Sequence, residues 1–168
     1  NEFQLSEEHA RLGIQLCPRD SWGHHALAHV LYATGRFQQG VDEMTPLAYI
    51  WEDCMPFMLT HNWFHMCLFH LELCEEGGEP ERKRLVAAFE QHVWTDNTDK
   101  SNVQVQLGAL NILAKCVFRG INDLDRHWQD VAEHIESSGG VERCKDRLFD
   151  VLAVYGLRRA GRIPLADQ

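Results

Sequence analysis

The chain has 168 residues, of which 45% are hydrophobic, and its 16 Lys and Arg against 25 Asp and Glu give a formal net charge of -9. This balance is typical of a soluble globular protein that can bury a core. The negative charge, without a dense Lys/Arg run, excludes a protein built to bind the nucleic-acid backbone. The apolar runs are far shorter than the roughly 18 residues that a transmembrane helix needs.

Helical patterns dominate the chain, and strand patterns are scarce. A first helix is predicted to begin after an N-cap at Ser6 and to end before Pro18, and a second to begin after an N-cap at Ser21 and to end at Gly35. Further helices are predicted at about 37–44, 57–74, 81–94, 101–118, 123–137 and 143–159. Turn-forming segments such as EEGGEPE and RGIND separate them, which predicts antiparallel helix pairs.

A glycine recurs in the predicted turns at a nearly constant interval. The separations are 43, 42 and 41 residues, by subtraction of the positions Gly35, Gly78, Gly120 and Gly161. A helix pair of about 40 residues cannot cover its own apolar face and stacks on the next pair. The sequence therefore predicts an all-α fold, a right-handed α-solenoid of about four stacked helix pairs forming a single domain over residues 1–168. Because the last pair is incomplete, we expect a fragment of a longer solenoid.

The segment HALAHVLYATGRFQQGV resembles a tetratricopeptide repeat. Leu27 and Ala28 match the large-small pair of its first helix, Gly35 the turn, and Phe37 and Gly40 the start of its second helix. The motifs WGHHALAHV, THNWFH and HWQDV are together similar to the tetratricopeptide repeat protein 38 family, over about residues 18–135. This resemblance implies the fold and no settled activity.

One position departs from that family. Its members tend to carry a further histidine, after an Asn-Asp, in the helix that matches LFDVLAVYGL, and this chain has only Asp150 there. The resemblance therefore does not extend to an activity that needs that histidine.

Two His-x-x-x-His pairs are the main chemical signal of the sequence. His25 and His29 lie on the second predicted helix, and His61 and His65 lie on the matching helix of the next pair. Residues four apart project from one face of a helix, so each pair can chelate one ion. Matching helices lie side by side in a solenoid, which predicts that the four imidazoles converge. His24 points about 100 degrees away and is predicted to lie at the surface.

Three interpretations of these histidines stay open. They can hold zinc or another transition metal, with Glu52, Asp53 and Asp150 as candidate oxygen donors. They can form a hydrogen-bonded packing network between helices, or they can contact a ligand or peptide. Covalent haem attachment is excluded because no C-x-x-C-H motif occurs. No nucleophile, zincin or phosphate-loop motif occurs either, so no catalytic residue is assigned.

The leading hypothesis is a protein–protein interaction or scaffolding module, a candidate subunit of a larger assembly, with a concave groove and no cofactor. The groove is predicted to be lined by Trp22, His25, His29, His61, Asn62 and His65. The negative charge favours a basic protein or peptide partner. The alternative is a metal-dependent enzyme or metal-binding protein, with zinc or another transition metal on the four histidines His25, His29, His61 and His65.

The cysteines bear on the compartment. The chain has six of them with no C-x-x-C pair. We expect them to be reduced, which indicates an intracellular location, cytoplasmic or organellar.

Overall fold

The computed structural model describes residues 2–139 and 147–167, and within these ranges all regular structure is helical. They form two compact units, Asn1–His92 and Val93–Gln168. The prediction of an all-α fold is confirmed, whereas a solenoid and a single domain that run through both units stay predictions. None of the described helices is both long enough and apolar enough to cross a lipid bilayer.

The helices follow the predicted order. The first unit contains α1 (Glu2–Leu16), α2 (Ser21–Ala33), α3 (Phe37–Met44), a 3-10 turn (Thr45–Leu47), α4 (Ala48–Trp51) and α5 (Pro56–Ala88), and a π-helical turn (Phe89–Val93) follows α5. The second unit contains α6 (Val103–Phe118), α7 (His127–Ser137), α8 (Arg147–Arg159) and α9 (Ile163–Ala166). The bounds of α3 are as predicted, and α4 was not predicted.

Two predicted N-caps are wrong. α1 already includes Ser6, whose hydroxyl donates to the carbonyl of Glu2 at 2.9 Å, because a serine inside a helix can bond to the preceding turn. At α2 the cap is Asp20, whose side chain accepts from the backbone N–H of Trp22 at 3.0 Å. Ser21 is the first residue of the helix.

α5 reverses its direction at Gly78, which has φ 57 and ψ -137. His70 Nδ1 lies 2.8 Å from Glu81 Oε2, although eleven residues separate them. A continuous helix would place them roughly 16 Å apart. α5 is therefore a hairpin with arms 56–77 and 79–88, which confirms the predicted helix pair. The predicted long turn EEGGEPE is wrong, because a single residue with positive φ makes the reversal.

The predicted turn glycines adopt one backbone conformation. Positive φ values of 72, 57, 69 and 74 occur at Gly35, Gly78, Gly120 and Gly161. After three of them, the next N–H donates to the carbonyl five residues earlier, as in Arg36 to Leu31, Ile121 to Cys116 and Arg162 to Leu157. This is the Schellman arrangement, which ends a helix with a residue of positive φ. The glycine interval thus marks real helix ends.

Packing inside each unit follows the helix pairs. In the first unit, α2 packs on α1, α3 and α5, and α3 also packs on α5. In the second, α6 packs on α7 and α8, and α7 also packs on α8. The first helix of one pair thus lies against the first helix of the next pair in both units.

Gly40 allows α3 to approach α5 closely. A Cβ at this position would lie 2.5 Å from Cζ of Phe69. Phe69 is fully buried in the core of the first unit, together with Leu27 and Leu31 of α2. The small residue expected at this position of the repeat therefore makes room for an aromatic ring of the next helix pair.

We predict that Gly40→Ala lowers the free energy of unfolding by about 1–3 kcal/mol, because the added methyl group overpacks the Phe69 contact. Urea denaturation measures this change. The matched control is Gly13→Ala on α1, where an added Cβ meets no atom within 4 Å. That variant should gain about 0.5–1 kcal/mol from helix propensity. Equal stability of the two variants would contradict the packing argument.

Candidate metal centre

The packing of α2 on the first arm of α5 places the two histidine pairs opposite each other. Leu27, Ala28 and Leu31 turn one face of α2 into the core of the first unit, and Met66 and Phe69 do the same for α5. The buried apolar faces fix the rotation of each helix about its axis. The directions of its remaining side chains are therefore fixed as well. The histidines lie on the parts of these faces that meet beside the core.

The four imidazole rings form one compact cluster. His25 Nε2 lies 2.9 Å from His29 Nε2 and 3.0 Å from His61 Nε2. The ring centroids of His29 and His65 are 4.5 Å apart. One ring nitrogen from each of the four residues lies within 4.8 Å of the other three. The predicted convergence of the two pairs is therefore confirmed, and we call these four residues the histidine cluster.

His65 is the innermost member of the histidine cluster. It is 3% exposed, and within the described part of the chain neither of its ring nitrogens has a hydrogen-bond partner. His25 and His61 are half-buried, and His29 is exposed. Buried polar atoms without partners are rare, because each loses its hydration without compensation. His65 has two such atoms on one ring, among the described residues.

Burial keeps the histidine cluster uncharged near neutral pH. Desolvation is the main cause that lowers the pKa of all four histidines, to about 4 for His25 and for His61. Repulsion between neighbouring imidazolium charges lowers the pKa of His65 further. A neutral imidazole keeps a lone pair on one ring nitrogen, which is the form that binds metals. The four rings could therefore bind a metal ion without first losing a proton.

Aromatic side chains surround the histidine cluster. Trp22 meets His25 edge-on, with 5.7 Å between ring centroids. His61 is stacked between Phe57 and Phe64, at 5.1 Å and 5.5 Å between centroids. These contacts restrict the rotation of the His61 ring and exclude water from one side of it.

The other predicted groove residues differ in position. Trp22 is 52% exposed and stays available for contact with a partner. Asn62 is buried, and its side-chain amide donates to the carbonyl of Ser21 at 3.4 Å. The observed role of Asn62 is thus a tie between α5 and the start of α2.

The predicted surface position of His24 is wrong. His24 is fully buried, Nε1 of Trp51 donates to its Nδ1 at 3.1 Å, and its Nε2 lies 3.0 Å from the carbonyl oxygen of Pro18. Trp51 belongs to α4, the helix that the sequence pattern did not reveal. Because an adjacent element covers this side of α2, His24 is a packing residue.

Two of the candidate oxygen donors, Glu52 and Asp53, do not join the histidine cluster. Asp53 accepts from Arg19 at 2.6 Å, and the charge of Glu52 acts on the pKa of His92. Asp150 lies on α8, in the second unit. In the described residues, the group that could hold an ion contains only the four histidines.

A second polar arrangement was missed by the sequence analysis. A cavity of about 490 Å³ lies between α3 and the α5 hairpin, and the buried pair His70–Glu81 lines it together with Trp63 and Arg84. Arg84 also pairs with Glu81. No sequence signal could have found this arrangement, because the pair forms only after α5 reverses at Gly78.

Two of the cysteines reach the surface. Cys17 is exposed and Cys54 is half-buried, and neither forms a disulfide. The expectation that the cysteines are reduced stays a prediction. Burial raises the pKa of the Cys54 thiol, which lowers its reactivity. Cys144 lies outside the described residues.

Comparison with known proteins gives no assignment: no protein-family model matches the chain, and no solved structure matches it. The resemblance to the tetratricopeptide repeat protein 38 family therefore stays a prediction. The histidine cluster has to be interpreted from its own geometry.

We predict that His65→Leu raises the free energy of unfolding of the metal-free protein by about 1 kcal/mol. The change removes two buried nitrogens that lack partners among the described residues, and it puts an apolar side chain of similar size in their place. Urea denaturation in the presence of a chelator measures this change. The matched control is His70→Leu, which deprives the buried Glu81 of a partner and should cost about 1–3 kcal/mol. Destabilisation by His65→Leu as large as that of the control would show that the His65 ring is satisfied in the metal-free protein.

Proposed function

We propose that this protein binds a transition-metal ion, with zinc as the reference case, through His25, His29, His61 and His65. The observation that carries the proposal is His65, whose two buried nitrogens lack partners beside three further imidazoles. A bound ion would satisfy one of these nitrogens and use the lone pairs of the other three rings.

The composition of the ligand set supports this class of metal. Neutral imidazoles suit zinc, copper, nickel and iron, whereas magnesium and calcium prefer oxygen ligands. Zinc–nitrogen bonds of about 2.0–2.1 Å in tetrahedral geometry place the ligand nitrogens roughly 3.3 Å apart. The spacings in the histidine cluster, from 2.9 Å to the limit of 4.8 Å, bracket this value.

A packing network of histidines accounts for part of the geometry. Nε2 of His25 has one lone pair and can accept from Nε2–H of His29 or of His61, so a hydrogen bond accounts for one of these two short contacts. The network leaves His65 with two unpaired nitrogens. Metal binding is the stronger proposal because it includes the buried ring that the network leaves out.

The predicted interaction groove includes the residues of the histidine cluster, and it stays a prediction. Trp22 and His29 are exposed enough to contact a peptide. His65 and Asn62 are buried, and a partner at the surface cannot reach them. A groove for a partner therefore does not explain why His65 is a histidine.

A metal on all four histidines would link α2 to α5. The ligands His25 and His61 are 36 residues apart in the chain. An ion that binds the folded state alone adds its binding free energy to folding. We therefore propose a stabilising centre rather than a catalytic one, and the enzyme hypothesis stays a prediction without a catalytic residue.

We predict that the metal-free protein binds one Zn²⁺ per chain, with micromolar or tighter affinity, in a titration against a chromophoric chelator. His25→Ala and His61→Ala should each weaken the affinity about 100-fold or more, because each removes a ligand. His9→Ala is the matched control, since His9 is an exposed histidine of α1 outside the histidine cluster. If His9→Ala weakened the Zn²⁺ affinity as much as His61→Ala, the binding would be unspecific and the proposed site would be wrong.

We also predict that Zn²⁺ at about 100 times its dissociation constant raises the free energy of unfolding by roughly 2.7 kcal/mol. Chemical denaturation with and without Zn²⁺ measures this shift. The shift should persist in His9→Ala and vanish in His61→Ala. Tight binding without any gain in stability would mean that the unfolded chain binds the ion equally well, which contradicts a site formed by the packing of α2 on α5.

A further inference from the structure

We propose that the metal-loaded histidine cluster binds a carboxylate anion at the edge marked by His29. This inference rests on the proposed function and adds a ligand class to the same site.

The ligand set cannot neutralise a divalent ion. All four ligands are neutral imidazoles, whereas structural zinc sites commonly contain thiolates that compensate the charge. Among the described residues, the group that could hold the ion consists of the four histidines and includes no carboxylate or thiolate. The loaded histidine cluster would therefore keep the full positive charge of the ion.

The surroundings make that charge costly. Trp22, Phe57 and Phe64 contact the rings of the histidine cluster. Aromatic walls lower the local dielectric response, and a charge in such a place is unfavourable unless it is paired. An anion that reaches the ion would offset this cost, and its attraction is strong because little water screens it.

One side of the histidine cluster is open to such an anion. His65 is the most buried ligand and His29 the most exposed, so solvent approaches from the His29 side. The aromatic walls hold His29 least. Trp22, Phe57 and Phe64 contact the rings of the other three ligands, whereas the ring contacts of His29 among the described residues are to His25 and His65.

The edge favours a carboxylate over a phosphate. Trp22 is half exposed next to His25 and offers an apolar surface to the hydrocarbon part of an organic acid. Phosphate recognition usually needs several charged donors such as Arg. Among the described residues, the ring contacts of the four histidines are to aromatic side chains and to one another. A single negative charge with an apolar substituent fits these groups best.

The inference changes the expected partner. The net charge of -9 favours a basic partner when the histidine cluster is empty of metal. With the ion bound, the same edge would attract a negative group. A free organic acid and the C-terminal carboxylate of a peptide share this chemistry.

The test uses the full chain loaded with Co²⁺, whose visible absorption spectrum reports its coordination. We expect acetate to change this spectrum in a saturable way, and phosphate at the same concentration to have a much weaker effect. By linkage, saturating acetate should tighten Zn²⁺ binding about tenfold at equal free-metal concentration. A short peptide with a free C-terminus, compared with the same peptide amidated, distinguishes a peptide source from a free acid.

Two variants sharpen the test. His29→Ala should retain Co²⁺ on three histidines and bind acetate more tightly, because the position of His29 is then open. His9→Ala should behave as the unchanged chain does. Loss of Co²⁺ from His29→Ala, or weaker binding of acetate by this variant, would contradict the role of His29.

The failure of this inference differs from the failure of the proposed function. If Co²⁺ binds to the histidine cluster and its spectrum stays unchanged in acetate, the anion site is overturned and metal binding stands. If phosphate acts more strongly than acetate, the carboxylate assignment is overturned. If no Co²⁺ binds, the metal proposal fails and the anion site fails with it.

Discussion

The contact between α2 and the first arm of α5 is the constraint on which the candidate centre depends. Each histidine pair alone is a weak two-nitrogen chelator on one helix. Burial of Leu27, Leu31 and Phe69 fixes how the two helices face each other, and the glycine at position 40 allows α3 to pack against the same arm. Folding of the apolar core thus offsets the entropy cost of bringing four histidines together. Such preorganisation is the usual source of high affinity in a binding site.

His65 is unfavourable for local stability and is the residue on which the proposed metal site depends most. A core position of this kind normally holds an apolar residue, and an imidazole without partners is unfavourable there. Natural sequences keep such choices mainly where the group has a function that outweighs its cost. The contrast with His70, which is equally buried but bonded to Glu81, shows that this chain can satisfy a buried histidine where the role is structural.

Much of the local structure could be predicted from the sequence. The helix pairs, the turn glycines and the convergence of His25 and His29 with His61 and His65 follow from helical periodicity and from a repeat of about forty residues. The helix ends depend on neighbours in the chain, and the convergence depends on one helix pair packing on the next. A solenoid that runs through both units stays a prediction, because a periodic pattern does not determine contacts between more distant residues.

The errors have physical causes of the same kind. The surface position predicted for His24 assumed that one face of α2 meets solvent, but α4, which is too short to give a periodic signal, covers that face with Trp51. The turn between the arms of α5 was expected to be long because polar and glycine residues are dense there. Helical backbone continues on both sides of Gly78 because its positive φ alone makes the reversal.

The indole of Trp51 determines which ring nitrogen of His24 carries the proton. Since the indole N–H can only donate, Nδ1 of His24 must be the acceptor, and the proton must lie on Nε2, which donates to the carbonyl of Pro18. Both nitrogens are thereby occupied in a single tautomer. His24 adjoins a ligand in the chain but has no lone pair to offer, so one tryptophan limits the histidine-rich stretch of α2 to two competent donors.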